Sequence, residues 1–117
     1  MRRHSYRDKR LAKLIYNEIS LIINYELDDE ILENVTVTDV VMTRDLSVAR
    51  IYFISSDKNI DITILKTHLD KAKNYIRTIL SDRLSIKKLP LLEFIIDETI
   101  IYSERIEKII DEINRTH

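Results

Sequence analysis

Glycine is absent from all 117 residues of the chain, and this omission constrains the fold more than any residue that is present. Every turn that needs a positive φ must use a residue with a Cβ, for which Asn is the best suited. Phosphate-cradling loops, the dinucleotide fingerprint and the nucleophile elbow all need glycine for close backbone approach, so none of them can be built here. The remaining chemistry is equally sparse. His4, His68 and His117 lie on separate elements and give no metal-ligand spacing. Adjacent acids at Asp97 and Glu98 read as favouring a helix N-terminus rather than as a catalytic pair. The chain is expected to be non-enzymatic, with no cofactor, no metal and no small-molecule substrate.

A chain of this length fits one domain, 1–117, with loose ends at 1–9 and 114–117. Its core must come almost wholly from Ile, Leu and Val. Cysteine is also absent, which excludes disulfides and points to a reducing compartment. No apolar run approaches the roughly 20 residues that span a bilayer, and the basic start lacks the apolar stretch of a signal peptide. The expectation is a cytoplasmic protein, monomeric, without membrane contact.

Hydrophobic spacing gives the element order. Leu11, Leu14, Ile15, Ile19 and Ile22 mark one face of a helix between about Tyr6 and Tyr25. Residues 35–43 and 48–54 are β-branched and read as two strands, with Arg44 to Ser47 as a hairpin turn. Ile62, Leu65, Leu69 and Ala72 then fall at helical spacing, followed by Ile76, Ile79, Leu80 and Leu84 in what reads as a shifted phase. That shift predicts two helices meeting at a kink near Asn74. Pro90, the only proline, precedes a third strand, Leu91 to Ile96. Ile106, Ile109, Ile110 and Ile113 define a final helix with an acidic outer face. The order α-β-β-α-α-β-α predicts an α+β fold: a three-stranded mixed sheet with helices on one face burying these stripes, and a parallel, right-handed crossover between the second and third strands.

The formal net charge is −1, but the charge is segregated. Residues 2–13 hold Arg2, Arg3, Arg7, Lys9, Arg10 and Lys13 against Asp8, six cations to one anion. Residues 66–88 hold Lys66, Lys71, Lys73, Arg77, Arg83, Lys87 and Lys88 against Asp70 and Asp82, seven to two. Acids collect instead from Glu26 to Glu33 and from Glu93 to Glu112. Phosphate binding follows the local field, so the basic stretches are candidate RNA contacts; the plain alternative is two solvated helix faces.

Four stretches in register resemble the ribosome-binding factor A family. They are Arg10-Leu11-Ala12 with Ile15, Glu18 and Ile19; Val35 to Val40 followed by Asp45-Leu46-Ser47, Ala49 and Tyr52; Ala72-Lys73-Asn74 with Ile76, Arg77, Leu80, Arg83, Leu84, Ile86 and Lys87; and Pro90, Leu92, Phe94, Asp97, Ile100, Arg105, Ile106 and Ile109. The resemblance covers about residues 10 to 110. It implies a type II KH-like fold, binding to free small (30S) ribosomal subunits, and a part in late maturation and processing of their 16S rRNA. It also implies a helix–kink–helix at Ala72-Lys73-Asn74, where the family usually reads Ala-x-Gly and this chain has Asn.

A KH module usually clamps one strand with a Gly-x-x-Gly loop, which a glycine-free chain lacks. What remains is contact with the phosphates of folded RNA by Lys and Arg. The candidate residues are Arg2, Arg3, Arg7, Lys9, Arg10 and Lys13 in the first stretch and Lys71, Lys73, Asn74, Arg77, Arg83, Lys87 and Lys88 in the second. Tyr52 and Tyr75 are further candidates, for base stacking. Two other readings stand beside this one: a KH-like module for another structured RNA, and a protein-interaction domain using the acidic final helix.

Overall fold

The structure, a computed structural model, describes residues 6–116, and the side chains of all of these except 6–8, 100–102 and 116. The elements are α1 (Tyr6–Leu21), which runs on as one π-helical turn (Ile22–Glu26); β1 (Val35–Met42); β2 (Val48–Ser55); α2 (Ile62–Leu84); β3 (Leu91–Ile96); and α3 (Glu98–Thr116). The strands form one sheet in the order β1-β2-β3. β1 pairs antiparallel with β2, and β2 parallel with β3, so the sheet is mixed as the element order requires.

Period-2 alternation turns Val35, Val37, Val40 and Met42 of β1, Ala49, Ile51 and Phe53 of β2, and Leu92 and Phe94 of β3 into one buried face. α1 and α2 cover it. Ile15, Ile19, Ile22 and Ile23 enter from the first helix, and Leu65, Leu69, Ile76 and Leu80 from the second. The extra residue of the π-helical turn lets the neighbours Ile22 and Ile23 both be fully buried. Asn24 Nδ2 then donates to the Val35 carbonyl at 2.6 Å, tying the end of α1 to the start of β1.

Two expectations need correction. The first is the kink. α2 is one unbroken helix of 23 residues, capped by the Asp61 side chain, which accepts from the Thr63 N–H. The step from Ala72 to Ile76 is i+4, so the apolar stripe continues through Asn74 without changing phase; only its first residue, Ile62, at the start of the helix, is left 40% exposed. Asn74 is exposed mid-helix. The left-handed backbone lies elsewhere, at Leu46 (φ 62°) in the hairpin turn and at Ser85 (φ 49°) just after α2.

The second correction concerns α3. Its stripe is not buried on the sheet: Ile106, Ile109 and Ile110 are 38%, 52% and 50% exposed. The helix instead leaves the body at the end of β3, with polar contacts among the described residues near its base. Asp97, the one buried charged residue among those described, accepts a 2.6 Å hydrogen bond from Thr38 Oγ1. Thr38 is the residue that a bulge between Val37 and Asp39 releases from strand pairing. Further along, Lys58 Nζ lies 3.5 Å from Glu104.

Because Ser85 and Leu46 hold conformations that a Cβ opposes, they are the places for glycine. Ser85→Gly should raise stability by about 0.5 kcal/mol, and Asn74→Gly should lower it by a similar amount as a helix-interior glycine. Chemical denaturation of the two variants checks this; equal effects of either sign would contradict the helix assignment.

A second test concerns pH. Asp45 Oδ1 accepts hydrogen bonds from the Ser47 hydroxyl (2.7 Å), the Ser47 N–H (3.1 Å) and Thr43 Oγ1 (2.9 Å). These contacts, the Ser47 hydroxyl foremost, bring its carboxyl down to about 2 from an ordinary 3.8. A pKa lowered by folding means that the stabilising effect is complete above the unfolded value and disappears as pH falls from about 4 to about 2. Amide shifts of residues 43–48 should therefore titrate at the lower end of that window, with a midpoint at about 2, in the wild type, and not in Asp45→Asn.

Candidate nucleic-acid interface

Topology sorts the charges. The Leu91 N–H donates to the Ser47 carbonyl at 2.9 Å, so β3 begins beside the β1–β2 turn, and the segment 85–90 that follows α2 lies at that same end. α1 is packed along β1 and finishes near its first residue. Its N-terminal turns therefore point back to the hairpin end too. One pole thus gathers Lys9, Arg10 and Lys13 from α1, Arg44 from the turn, and Lys87 and Lys88 after α2. All six are exposed, and none has an ion-pair partner among the described residues. The opposite pole carries Asp28, Asp29, Glu30 and Glu33 before β1, Asp57 and Asp61 after β2, and Glu98 where α3 starts.

The middle of the predicted basic stripe has a different task. Arg83 donates through Nη1 to Glu18 (3.2 Å) and Glu26 (2.7 Å), and through Nη2 to the other oxygen of Glu26. This bidentate contact clasps α2 to α1 and its π-helical turn. It holds the Glu26 carboxyl below the usual carboxylate range and raises the Arg83 guanidinium above its own. Arg77 is half-buried and donates through Nη2 to the Leu89 carbonyl at 3.2 Å, fixing the segment 85–90 against α2. Its Nε is buried without a hydrogen-bond partner. Lys73 lies 3.4 Å from Asp70 on its own helix. Asn74 is exposed on α2 and makes a helical contact, accepting through its carbonyl from Thr78 Oγ1 at 3.0 Å.

Lys71 lies apart from the basic pole. It lines a surface pocket of about 420 Å³ with Glu26, Asp28, Asp29, His68 and Tyr75. Within it, His68 Nδ1 is 2.7 Å from Asp29 Oδ2. Burial pushes the Asp29 carboxyl up, but the His68 hydrogen bond and the N–H groups of Ile31 and Leu32 outweigh it and the net shift is downward. The many carboxylates make this a poor phosphate site despite Lys71. Tyr75 is 58% exposed on the pocket rim, whereas Tyr52 is half-buried on the sheet. Arg2 and Arg3, and the side chain of Arg7, lie outside the described residues.

The sequence reading missed Arg44. One cation in a four-residue turn forms no cluster in the sequence; it joins one only because the hairpin, the start of α1 and the end of α2 share a pole. The partners of Arg83 were hidden for the same reason, since Glu18 and Glu26 are 65 and 57 residues away. Among the described residues no group of three or more acids or histidines is gathered as a metal ion would require, and no helix is long and apolar enough to cross a membrane.

Known proteins of the same shape carry this arrangement of elements. A crystal structure of ribosome-binding factor A from Thermus thermophilus superposes with a TM-score of 0.66 at 24% identity, over 75% of this chain and 93% of that one. Thermus thermophilus ribosome-binding factor A as fitted into the cryo-EM map of a 30S complex gives a TM-score of 0.54 at 22% identity, over 79% of this chain and 92% of that one. These likenesses show the fold. Sequence similarity is closer: ribosome-binding factor A of Pediococcus pentosaceus is 42% identical over 94% of this chain and 96% of its own length. That of Enterococcus faecalis is 37% identical over 95% and 97%. The family model described as ribosome-binding factor A matches residues 7–110, and the chain belongs to the ribosome-binding factor A family.

Proposed function

We propose that the chain is a ribosome assembly factor that binds free small subunits in the bacterial cytoplasm, as a monomer, and assists late maturation and processing of 16S rRNA. The family membership supports subunit binding. The observation that carries the mode of binding is the basic pole: six exposed cations from three separate segments (α1, the hairpin turn and the segment after α2), not neutralised by carboxylates among the described residues. Without glycine there is no loop to clamp a single strand, so binding is by phosphate contact and recognition of RNA shape. The part played is that of a binding protein, for which the family and the displayed charge both speak. The gradient of charge from the basic to the acidic pole orients the approach to RNA, with the acidic pole facing away.

The reading makes a divided prediction. Replacing Arg44, Lys87 and Lys88 by Gln should leave the fold intact, since exposed changes usually cost within about 0.5 kcal/mol each. Binding to purified small subunits should weaken, and the salt dependence should flatten by roughly one unit of slope for each phosphate that is no longer neutralised. Arg83→Gln should instead lower thermal stability and leave that slope unchanged. Pelleting with subunits over a salt series measures the slopes. If the triple variant keeps the wild-type slope while Arg83→Gln flattens it, the RNA-facing surface is α2 and not the pole.

A further inference from the structure

The chain must reverse after α2, because β3 runs parallel to β2, and residues 85–90 make that reversal outside any helix or strand. Ser85, in its left-handed conformation, begins it. Apolar residues flank the two lysines of the segment: Ile86 and Leu89 are half-buried and Pro90 is buried, while Lys87 and Lys88 stand exposed between them. Apolar burial holds such a segment down but is non-directional, and so does not fix its backbone. Hydrogen bonds supply direction. At its ends, the Ser85 N–H donates to the Ser81 carbonyl at 3.2 Å and the Leu91 N–H to that of Ser47 at 2.9 Å. Between these ends the segment has one hydrogen bond among the described residues, from Arg77 Nη2 to the Leu89 carbonyl at 3.2 Å.

Arg77 gains little stability from this contact. Its guanidinium is half-buried, its acceptor is a neutral carbonyl, and its Nε is buried without a hydrogen-bond partner. A desolvated donor left unpaired opposes folding by about as much as one hydrogen bond favours it. What the side chain does achieve is local: it fixes the carbonyl of the residue that directly follows Lys88.

We propose that Arg77 is a positioning residue for RNA binding: by holding the Leu89 carbonyl it fixes the backbone that carries Lys87 and Lys88, so that both cations meet phosphate already ordered. The proposal rests on the basic-pole reading above and deepens it, since a residue that does not itself touch RNA takes a share in the affinity. Ordering a segment at the moment of binding weakens a complex, and a segment ordered beforehand escapes that loss.

The test compares Arg77→Met with Arg77→Lys in the full chain. Met is a flexible helix former that fills the space of the stem without a donor. Lys keeps the charge but ends one bond short of the Leu89 carbonyl. Both variants should melt close to the wild type, and in the free protein both should lower the backbone amide order parameters of residues 86–89 while leaving those of α2 unchanged. Affinity for purified small subunits should fall about fivefold in each, equally at every salt concentration. The salt dependence then keeps its wild-type slope, because the same phosphates are neutralised once the complex has formed. On a Lys87→Gln, Lys88→Gln background, Arg77→Met should have no further effect on binding. Wild-type order parameters or wild-type affinity in Arg77→Met, wild-type affinity in Arg77→Lys despite lowered order parameters, or a full fivefold loss on the lysine-free background would each overturn the positioning role. A slope lowered by about one unit in Arg77→Met would overturn it too, by making Arg77 itself a phosphate contact. If the Lys87→Gln, Lys88→Gln protein binds as the wild type does, the basic-pole reading fails and this proposal with it.

Discussion

The parallel pairing of β2 with β3 is the constraint from which the rest of the molecule follows. Antiparallel strands can be joined by a tight turn, whereas parallel ones require the chain to return over the sheet. That return is α2. It must cover the length of β2 backwards, so the segment 85–90 that follows it leads to the hairpin turn, where Leu91 donates to Ser47. The same return lays α2 across the face that α1 already occupies, and closes the core over Phe53 and Phe94. The separation of charge into two poles is thus a result of topology acting on a sequence whose acids and bases are already grouped along the chain.

The absence of glycine shapes how the connections are made. Side-chain oxygens take the part usually left to a flexible backbone. Asp45 organises the hairpin turn, Asp29 accepts from the N–H of Ile31 at 3.0 Å, Asp57 accepts from that of Asn59 at 3.0 Å, and Asp61 caps α2. Only Leu46 and Ser85 bear a left-handed conformation among the described residues. Asn74, the natural candidate by residue type, does not. Its neighbours Ala72 and Ile76 keep the helical stripe in phase, and helix continuity outweighs the tolerance of one residue for a kink.

Much of the fold was legible for a physical reason: the three strands and the helices α1 and α2 carry their own periodicity, so local pattern and tertiary burial agree. Periodicity also found α3, yet could not say what its stripe would face, because a pattern of apolar residues specifies a face and not a partner. The candidate site was read less completely. Lys9, Arg10, Lys13, Lys87 and Lys88 are exposed. Arg77 and Arg83 share their spacing and their sign, but both are used inside the molecule, one on a carbonyl and one on two distant carboxylates. Arg44 needed the assembled pole to be seen at all.

The root of α3 has a consequence of its own. Asp97 is fixed by Thr38 in the bulge of β1, so the helix leaves the domain from an anchored base rather than from a slack linker. Nineteen residues at 1.5 Å each give it a reach of about 28 Å. Any change in the direction of so long a lever must therefore pass through the Thr38–Asp97 contact and the bulge of β1 that presents it.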